Sequence, residues 1–327
     1  MSGGYQLQLD MTIARGGCLY STGNVSLDHV GVYACVVSSN VIAYGGAIYA
    51  ARNVNLSYSV ISGNSAYTSA SGGLSKAGGV FAGKDFLAQF STISGNSARG
   101  VNNAMGAIGG VLGRGNASIR YSTIAGNSAL DSIGGLLLTN GGNVVISNST
   151  ISGNMATRGA IGGASLAASV AIYNSTITFN QAANTSGGTI AAGIAMTAPG
   201  GTAKLESTLI ANNTYGPSMM SNDLTASGVT ITGHNNLVRA SSASLPADTI
   251  VNRCPLLGPL RDNGGLTKTH ALLSHSPGID QGNNAANLTY DQRGAPNARM
   301  SGPAADIGAY EVQQGDIVFN NGFDGCP

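Results

Sequence analysis

The sequence predicts an all-β right-handed parallel β-helix, a solenoid with three short strands per coil and a C-terminal capping region. Three observations carry this reading. First, a phrase of the form Ser-Thr-Ile-Ser-Gly-Asn recurs at 59–64, 91–96, 122–127, 149–154 and 175–180, with looser copies at 35–40 and 208–213. Second, the closing asparagines (Asn40, Asn64, Asn96, Asn127, Asn154, Asn180, Asn213) are separated by 24, 32, 31, 27, 26 and 33 residues, a period that belongs to stacked repeats. Third, no stretch keeps the i, i+3, i+4, i+7 spacing of a helix without a glycine interrupting it.

Aligning the copies shows what each coil contains. The shared column holds Val37, Ile61, Ile93, Ile124, Ile151, Ile177 and Ile210. Five residues upstream stand Val32, Leu56, Ala88, Ile119, Ile146, Ile172 and Leu205. Two further back stand Val30, Val54, Phe86, Ala117, Val144, Val170 and Ala203. The pattern Val144-x-Ile146 is a half-buried strand of period two. An offset of five cannot keep two columns on one face of a straight strand, so a corner is expected near 147–149. A Gly-Gly pair (45–46, 78–79, 109–110, 134–135, 162–163, with 187–188 as a further candidate) precedes Ala47, Val80, Val111, Leu136 and Ala164, the third strand. Seven such coils make a rod of roughly 35–40 Å, with rungs about 4.8 Å apart. Right-handed winding is the rule for parallel crossovers.

Identical residues then stack along the axis. Asn64, Asn96, Asn127, Asn154 and Asn180 read as an internal amide ladder that satisfies buried polar groups at every rung. Asparagine also tolerates the left-handed conformation of a corner. The serine column (Ser59, Ser91, Ser122, Ser149, Ser175) has the same structural reading.

Gly-Gly-Ala-Ile at 45–48, coupled to a strand ending in Asn, resembles the repeats of polymorphic outer-membrane proteins and of pectate-lyase-like right-handed β-helices. The words Pro-Leu-Leu-Gly-Pro-Leu (255–260), Asp-Asn-Gly-Gly (262–265), Thr-His-Ala-Leu-Leu (269–273), Ser-Pro-Gly-Ile-Asp (276–280), Asp-Gln-Arg-Gly (291–294) and Asp-Ile-Gly-Ala-Tyr-Glu (306–311) resemble the choice-of-anchor Q domain of secreted bacterial proteins. The resulting division is a β-helix over 1–235, a choice-of-anchor Q-like cap over 236–311 and a tail over 312–327. The resemblance implies an extracellular or bacterial cell-surface location and transfers no catalytic residue. Met1-Ser2-Gly3-Gly4-Tyr5 lacks the charged start and apolar core of a signal peptide, so a fragment or mature form is expected.

Composition narrows the partners. Charged residues are only 9%, with 15 basic and 14 acidic side chains and no run of either sign. The nucleic-acid reading would need a basic stripe. A membrane helix would need about 18 uncharged apolar residues in a row, which do not occur. Residues 1–215 carry nine basic and five acidic side chains, and residues 216–327 six and nine, a balance compatible with an anionic glycan. The four cysteines allow three pairings. In an oxidising compartment Cys18 and Cys35 are neighbours near one end and Cys254 could meet Cys326 if the tail folds back; free buried thiols are the alternative.

An enzyme of this fold needs two or three carboxylates on adjacent rungs. Asp10, Asp28, Asp85, Asp131 and Glu206 are scattered, so no catalytic residue is assigned. Asp28-His29 reads as a solvated turn. His270-x4-His275 lacks a helical metal spacing, and neither metal nor cofactor is expected. In the C-terminal region Arg293 is expected to clamp Asp306 or Glu311.

Length varies mainly between the asparagine and the next Gly-Gly, which places the longest loops at 65–77 and 97–108 on one edge. Tyr67, Lys76, Arg99, Asn102 and Asn103 are their contact-capable residues, because binding function concentrates in loops on rigid scaffolds; tolerated insertions are the alternative. Seven of twelve tyrosines fall in the first 67 residues, suited to sugar stacking or to an end interface. Outward Thr/Ser pairs (Thr92/Ser94, Thr150/Ser152, Thr176/Thr178) form a hydroxyl row of the kind that orders water on ice-binding proteins, interrupted at Val60, Ala125 and Leu209. The reading that results is a non-catalytic secreted or cell-surface rod, adhesive or glycan-binding along its loop-bearing edge. The alternative is a polysaccharide lyase or glycoside hydrolase of the pectate-lyase-like fold.

Overall fold

The computed structural model describes residues 1, 5–7, 13–100, 106–139, 142–183 and 190–316. It is a parallel β-solenoid of about seven turns without helix among those residues. Three large sheets line the coil, joined by a small sheet of three strands. One sheet, here the isoleucine sheet, stacks Gly31–Tyr33, Val60–Ser62, Thr92–Ser94, Thr123–Ala125, Thr150–Ser152, Thr176–Thr178, Leu209–Ala211, Leu237–Val238 and Ile250–Val251 in parallel.

Strand register explains the apolar columns. Val32, Ile61, Ile93, Ile124, Ile151, Ile177 and Ile210 are direct neighbours, and all are buried. Val32 therefore belongs to the isoleucine column, not Val37, whose partner is Ala66 on the next sheet. The first repeat is offset by 29 rather than 24. Val36–Ser39 has the same apolar-in alternation as a Thr-Ile-Ser strand, and period two alone cannot tell the two sheets apart. Gly45-Gly46 is likewise displaced by one, since Ile48 pairs with Val80 and Gly46 thus faces Gly78. The next rung after Gly162-Gly163 carries Ala192-Gly193; 187–188 lie outside the described residues.

The expected corner falls on Asn148, at φ 43°. Its equivalents are His29, Tyr58, Phe90, Tyr121, Asn174 and Ser207, all at positive φ. Side chains avoid this region unless the surroundings enforce it. Here the residue after the corner enforces it. Ser59, Ser91, Ser122, Ser149 and Ser175 each donate Oγ–H to the carbonyl two residues back, at 2.7–2.8 Å. Four of them, Ser91 to Ser175, accept the amide of the preceding coil's serine at 3.1–3.2 Å, and Ser59 accepts that of Val30.

The asparagines work in the same way at the next corner. Each Nδ2 of Asn64, Asn96, Asn127, Asn154 and Asn180 donates to the Oδ1 of the next asparagine, at 2.8–2.9 Å. The backbone amide of each donates to the same oxygen. Asn40 stands outside the column. The first rung is Cys35, whose amide donates to Asn64 Oδ1, and Cys35 is bonded to Cys18. Cys254 is also disulfide-bonded; Cys326 lies outside the described residues. The column ends on Asp223, which accepts both donors of Asn213 at 2.8 Å.

The segments 65–77 and 97–108 begin as strands. Ser65–Thr68 and Ser97–Gly100 pair in a nine-stranded sheet, and Leu74–Lys76 belongs to the small sheet with Ile42–Tyr44 and Ile13–Arg15. Ala66 and Thr68 turn inward and Tyr67 outward, so the edge is sheet surface rather than loop.

Past the last coil, residues 239–252 close the end, with Ala243 and Leu245 packed on the core. The chain then folds back along the outward face of the isoleucine sheet. This latch covers Thr123, Thr150, Ser152, Thr176, Thr178 and Leu209, all buried, whereas Val60, Ser62, Thr92 and Ser94 stay half-exposed. The hydroxyl row is thus mostly a docking strip and not a continuous water-facing array. Gln292 plugs into it: Nε2 donates to Thr123 Oγ1 and Thr267 Oγ1 at 2.9 Å, and Oε1 accepts from Thr150 at 2.6 Å. Arg293 does not clamp Asp306 or the Glu311 carboxylate. It binds Asp291 at 2.8 Å, donates to the Glu311 carbonyl and lies 4.0 Å from the Tyr310 ring centre. Glu311 instead holds Arg299 at 2.7 Å, fully buried. Arg293 is drawn to Asp291 because the Asp291-Gln292-Arg293-Gly294 turn brings the two together two residues apart.

Two expectations follow. Asn127→Ala leaves the donors of Asn96 buried without an acceptor and should lower stability by about 2–5 kcal/mol, read by denaturant unfolding. Arg299→Met strands Glu311 in the latch interior and should cost about 3–5 kcal/mol, with limited proteolysis showing 253–316 cleaved before the rod.

Candidate functional site

Where the latch stops, the free part of the isoleucine sheet begins, and a cleft of about 810 Å³ opens between them. Its floor is the hydroxyl row: Thr92, Ser94, Thr123 and Ser152, with Ala125 between. Its roof is the segment from Pro259 to His270, including exposed Leu266, Asp262 and Lys268. The floor is rigid because every strand in it is bonded on both sides. The roof is held by Thr123 Oγ1 donating to the Lys268 carbonyl at 2.7 Å and by Thr267 Oγ1 donating to the Tyr121 carbonyl at 3.0 Å.

The deepest polar pair is Ser152 and His270. Nδ1 of His270 faces the Gly258 carbonyl at 2.7 Å, which can only accept, so that nitrogen carries the proton. Nε2 then accepts from Ser152 Oγ at 2.8 Å. Burial pushes the imidazole down to about 4, which keeps it neutral. The geometry is that of a serine–histidine dyad with a carbonyl as orienting group. The amides that would stabilise an oxyanion are already engaged, Gly126 with the Ser152 carbonyl and Gly153 with the Thr178 carbonyl. The pair therefore ties the latch to the rod.

Asp262 is the single carboxylate lining the cleft, and its Oδ1 accepts the Gly264 amide at 2.9 Å. Glycoside hydrolysis requires two facing carboxyl groups. Asp85 and Asp131 lie elsewhere and are engaged: Asp85 holds the Asn116 amide at 2.9 Å, and Asp131 pairs with Arg158 at 2.9 Å. Among the described residues no group of three or more His, Cys, Asp or Glu could hold a metal ion. No helix there is long and apolar enough to cross a membrane.

The edge residues divide. Tyr67 and Arg99 are register partners on adjacent rungs, both exposed. Arg99 borders a small hollow of about 290 Å³ with Ser128, Leu130, Met155 and Thr157. Lys76 stands on the small sheet beside Tyr44. Asn102 and Asn103 lie outside the described residues. The early tyrosines build two stacks. His29, Tyr58, Phe90 and Tyr121 run ring over ring at 4.6–5.1 Å, and Tyr20, Tyr49 and Phe81 at 4.8–5.4 Å. Ring faces inside a stack are occupied by neighbours, so only end faces are open to a sugar. The cleft escaped sequence reasoning because its walls lie more than a hundred residues apart: His270 and Ser152 are separated by 118.

Comparison with family models, with curated proteins and with solved structures gives no match.

The buried imidazole sets a pH expectation. Its folded-state pKa lies below the ordinary 6.5, so the unfolded chain takes up a proton between about pH 6.5 and 4 that the folded chain does not. Stability from this group is complete above that window and lost as pH falls through it, on the order of 3 kcal/mol. Asp223, pushed up to about 6 by burial, acts in the opposite sense over the same range. The measurement is therefore the difference in unfolding free energy between the native protein and His270→Asn, which should shrink steadily from pH 7 to pH 4.

Proposed function

We propose that the chain is a non-catalytic, secreted or surface-displayed rod that binds a glycan. One observation carries this reading: the cleft between latch and rod has a floor of hydroxyls in rung register, a partly apolar roof and one carboxylate. Sugars are recognised by such a mixture, with hydroxyls exchanging hydrogen bonds and apolar side chains covering C–H faces. The floor continues onto Val60, Ser62 and Tyr33, which the latch leaves uncovered, so a linear chain can enter along the axis. The words that resemble choice-of-anchor Q domains fall in the latch, and their buried residues Gln292, Arg293 and Glu311 serve attachment and internal clamping. That supports a display role for the region. Tyr67 and Arg99 offer a second, weaker contact strip, and several such contacts on one rod add through effective concentration.

A glycan array with product analysis in the same wells tests the proposal. The expected result is binding without new reducing ends or unsaturated products, weakened about tenfold by Leu266→Asp combined with Lys268→Ala. Release of shortened chains would overturn it in favour of a lyase or hydrolase.

A further inference from the structure

We propose a separate site for an anionic glycan on the strands that follow the glycine corner, between Lys76 at the corner and Arg114 at the far end of the strand, over the aromatic stack of Tyr49 and Phe81. This corner joins the small sheet to the strands Leu19–Ser21, Ile48–Ala50 and Val80–Ala82, and Val111–Gly113 is the next strand beside them. Glycine at Gly46 and Gly78 lets the chain reverse here, since a Cβ would strike the next coil's carbonyl at 1.9 Å and 2.4 Å. The sharp reversal turns two outward columns toward each other. One column is Arg15, Tyr44 and Lys76, which are register partners. The other is Tyr20, Tyr49 and Phe81. They meet edge to face, with Tyr44 4.9 Å from Phe81. Arg15 lies 5.4 Å from the Tyr49 ring centre and Arg114 5.2 Å from that of Phe81.

Lys76 and Arg114 pair with no described acid. They are close enough that Arg114, after burial, lowers the Lys76 pKa. Two cations held together against aromatic surface repel one another, and an anion between them removes that penalty. Further cations extend the site along the axis. Exposed Arg52 and Lys84 occupy equivalent positions on successive coils, the Lys84 amide donating to the Arg52 carbonyl at 3.1 Å, and Arg114 follows in the same turn of the next coil. Rungs about 4.8 Å apart therefore carry a positive charge each over three coils, and one linked sugar ring is about as long as one rung. The described acid of this stretch, Asp85, is tied to the Asn116 amide and side chain. The match is to a linear polymer with a sulfate or carboxylate on most rings. The choice of a sugar polymer rests on the glycan-binding reading above; the anion site itself does not.

The test is isothermal titration of the full chain with a heparin-derived oligosaccharide, a hyaluronan oligosaccharide and neutral dextran, at low and high salt. An anionic sugar should bind and dextran should not, with affinity falling as salt rises. Lys76→Gln with Arg114→Gln should weaken binding at least tenfold. Lys76→Arg with Arg114→Lys should retain it, and so should Arg120→Gln. These side chains are half or fully exposed, and thermal melting confirms that each variant is folded. Absence of binding by both anionic sugars, unchanged binding by the double glutamine variant, or equal affinity for a single-stranded DNA oligonucleotide of matched charge would each overturn the proposal. The cleft and this site fail separately, because the cleft is tested by its own variants on the glycan array and this site by the glutamine pair in titration.

Discussion

The asparagine column is the constraint on which the rest of the rod depends. From Asn96 onward each Oδ1 accepts two N–H groups from the preceding coil, and each Nδ2 donates forward to the next coil and back to an isoleucine carbonyl, a role that Val32 fills for Asn64. Such a chain is polar: every rung needs an acceptor ahead of it. The last rung therefore cannot be another asparagine facing nothing. Asp223 ends the column because a carboxylate brings acceptors without donors. One oxygen takes Asn213 and the other takes the Ala240 amide at 2.9 Å. Burial of that carboxylate is the cost of closing a polar ladder inside the rod. At the other end only one acceptor site must be filled, and the Cys35 amide fills it. Glycine opposite the ladder follows from the same geometry. A Cβ at Gly79, Gly110, Gly135 or Gly163 would lie 3.0–3.2 Å from an asparagine amide, so the glycine repeat and the asparagine repeat are two halves of one packing rule.

A second consequence concerns the positive-φ corner that precedes each serine. Along the axis it reads His29, Tyr58, Phe90, Tyr121, Asn148, Asn174, Ser207, Asn235. The change from rings to amides and one hydroxyl coincides with the latch. The exposed corners are shielded by ring stacking, whereas the covered ones hydrogen-bond the latch backbone. Asn148 donates to the Tyr290 carbonyl, Asn174 and Ser207 to that of Asn283, and Asn235 to that of Gln281. The same column supplies lateral stability in two chemistries, chosen by what lies outside it.

The coil architecture was legible because a solenoid repeats its constraints: the isoleucine, serine and asparagine columns each answer one recurring need. The first coil was misread because Val36–Ser39 imitates the repeat while Cys35 replaces its asparagine. The strands at 65–68 and 97–100 read as loops because the spacing from asparagine to Gly-Gly varies, although the Ala66/Thr68 alternation is present in the sequence. The cleft was not legible at all. A contact between Ser152 and His270 is a fact of how the latch folds back, and no local spacing encodes it. Gln292, fully buried among threonine hydroxyls, similarly looked like one residue of a turn.

Charge shows how far stacking can depart from sequence. Arg52, Lys84 and Arg114 are about thirty residues apart, so no window along the chain contains a basic run. Winding the chain at that same period sets them on consecutive rungs. A low overall charge, 9% of residues, strengthens the effect, because few acids are at hand to neutralise a column once it forms. In a solenoid the relevant sequence for electrostatics is therefore the one read down the axis. Read that way, the N-terminal half of this rod carries a line of cations in the turn that follows the strands Ile48–Ala50, Val80–Ala82 and Val111–Gly113, while the hydroxyl row runs along another sheet. Two kinds of surface thus stand on separate sheets of one rigid rod, and neither is visible in a window read along the chain.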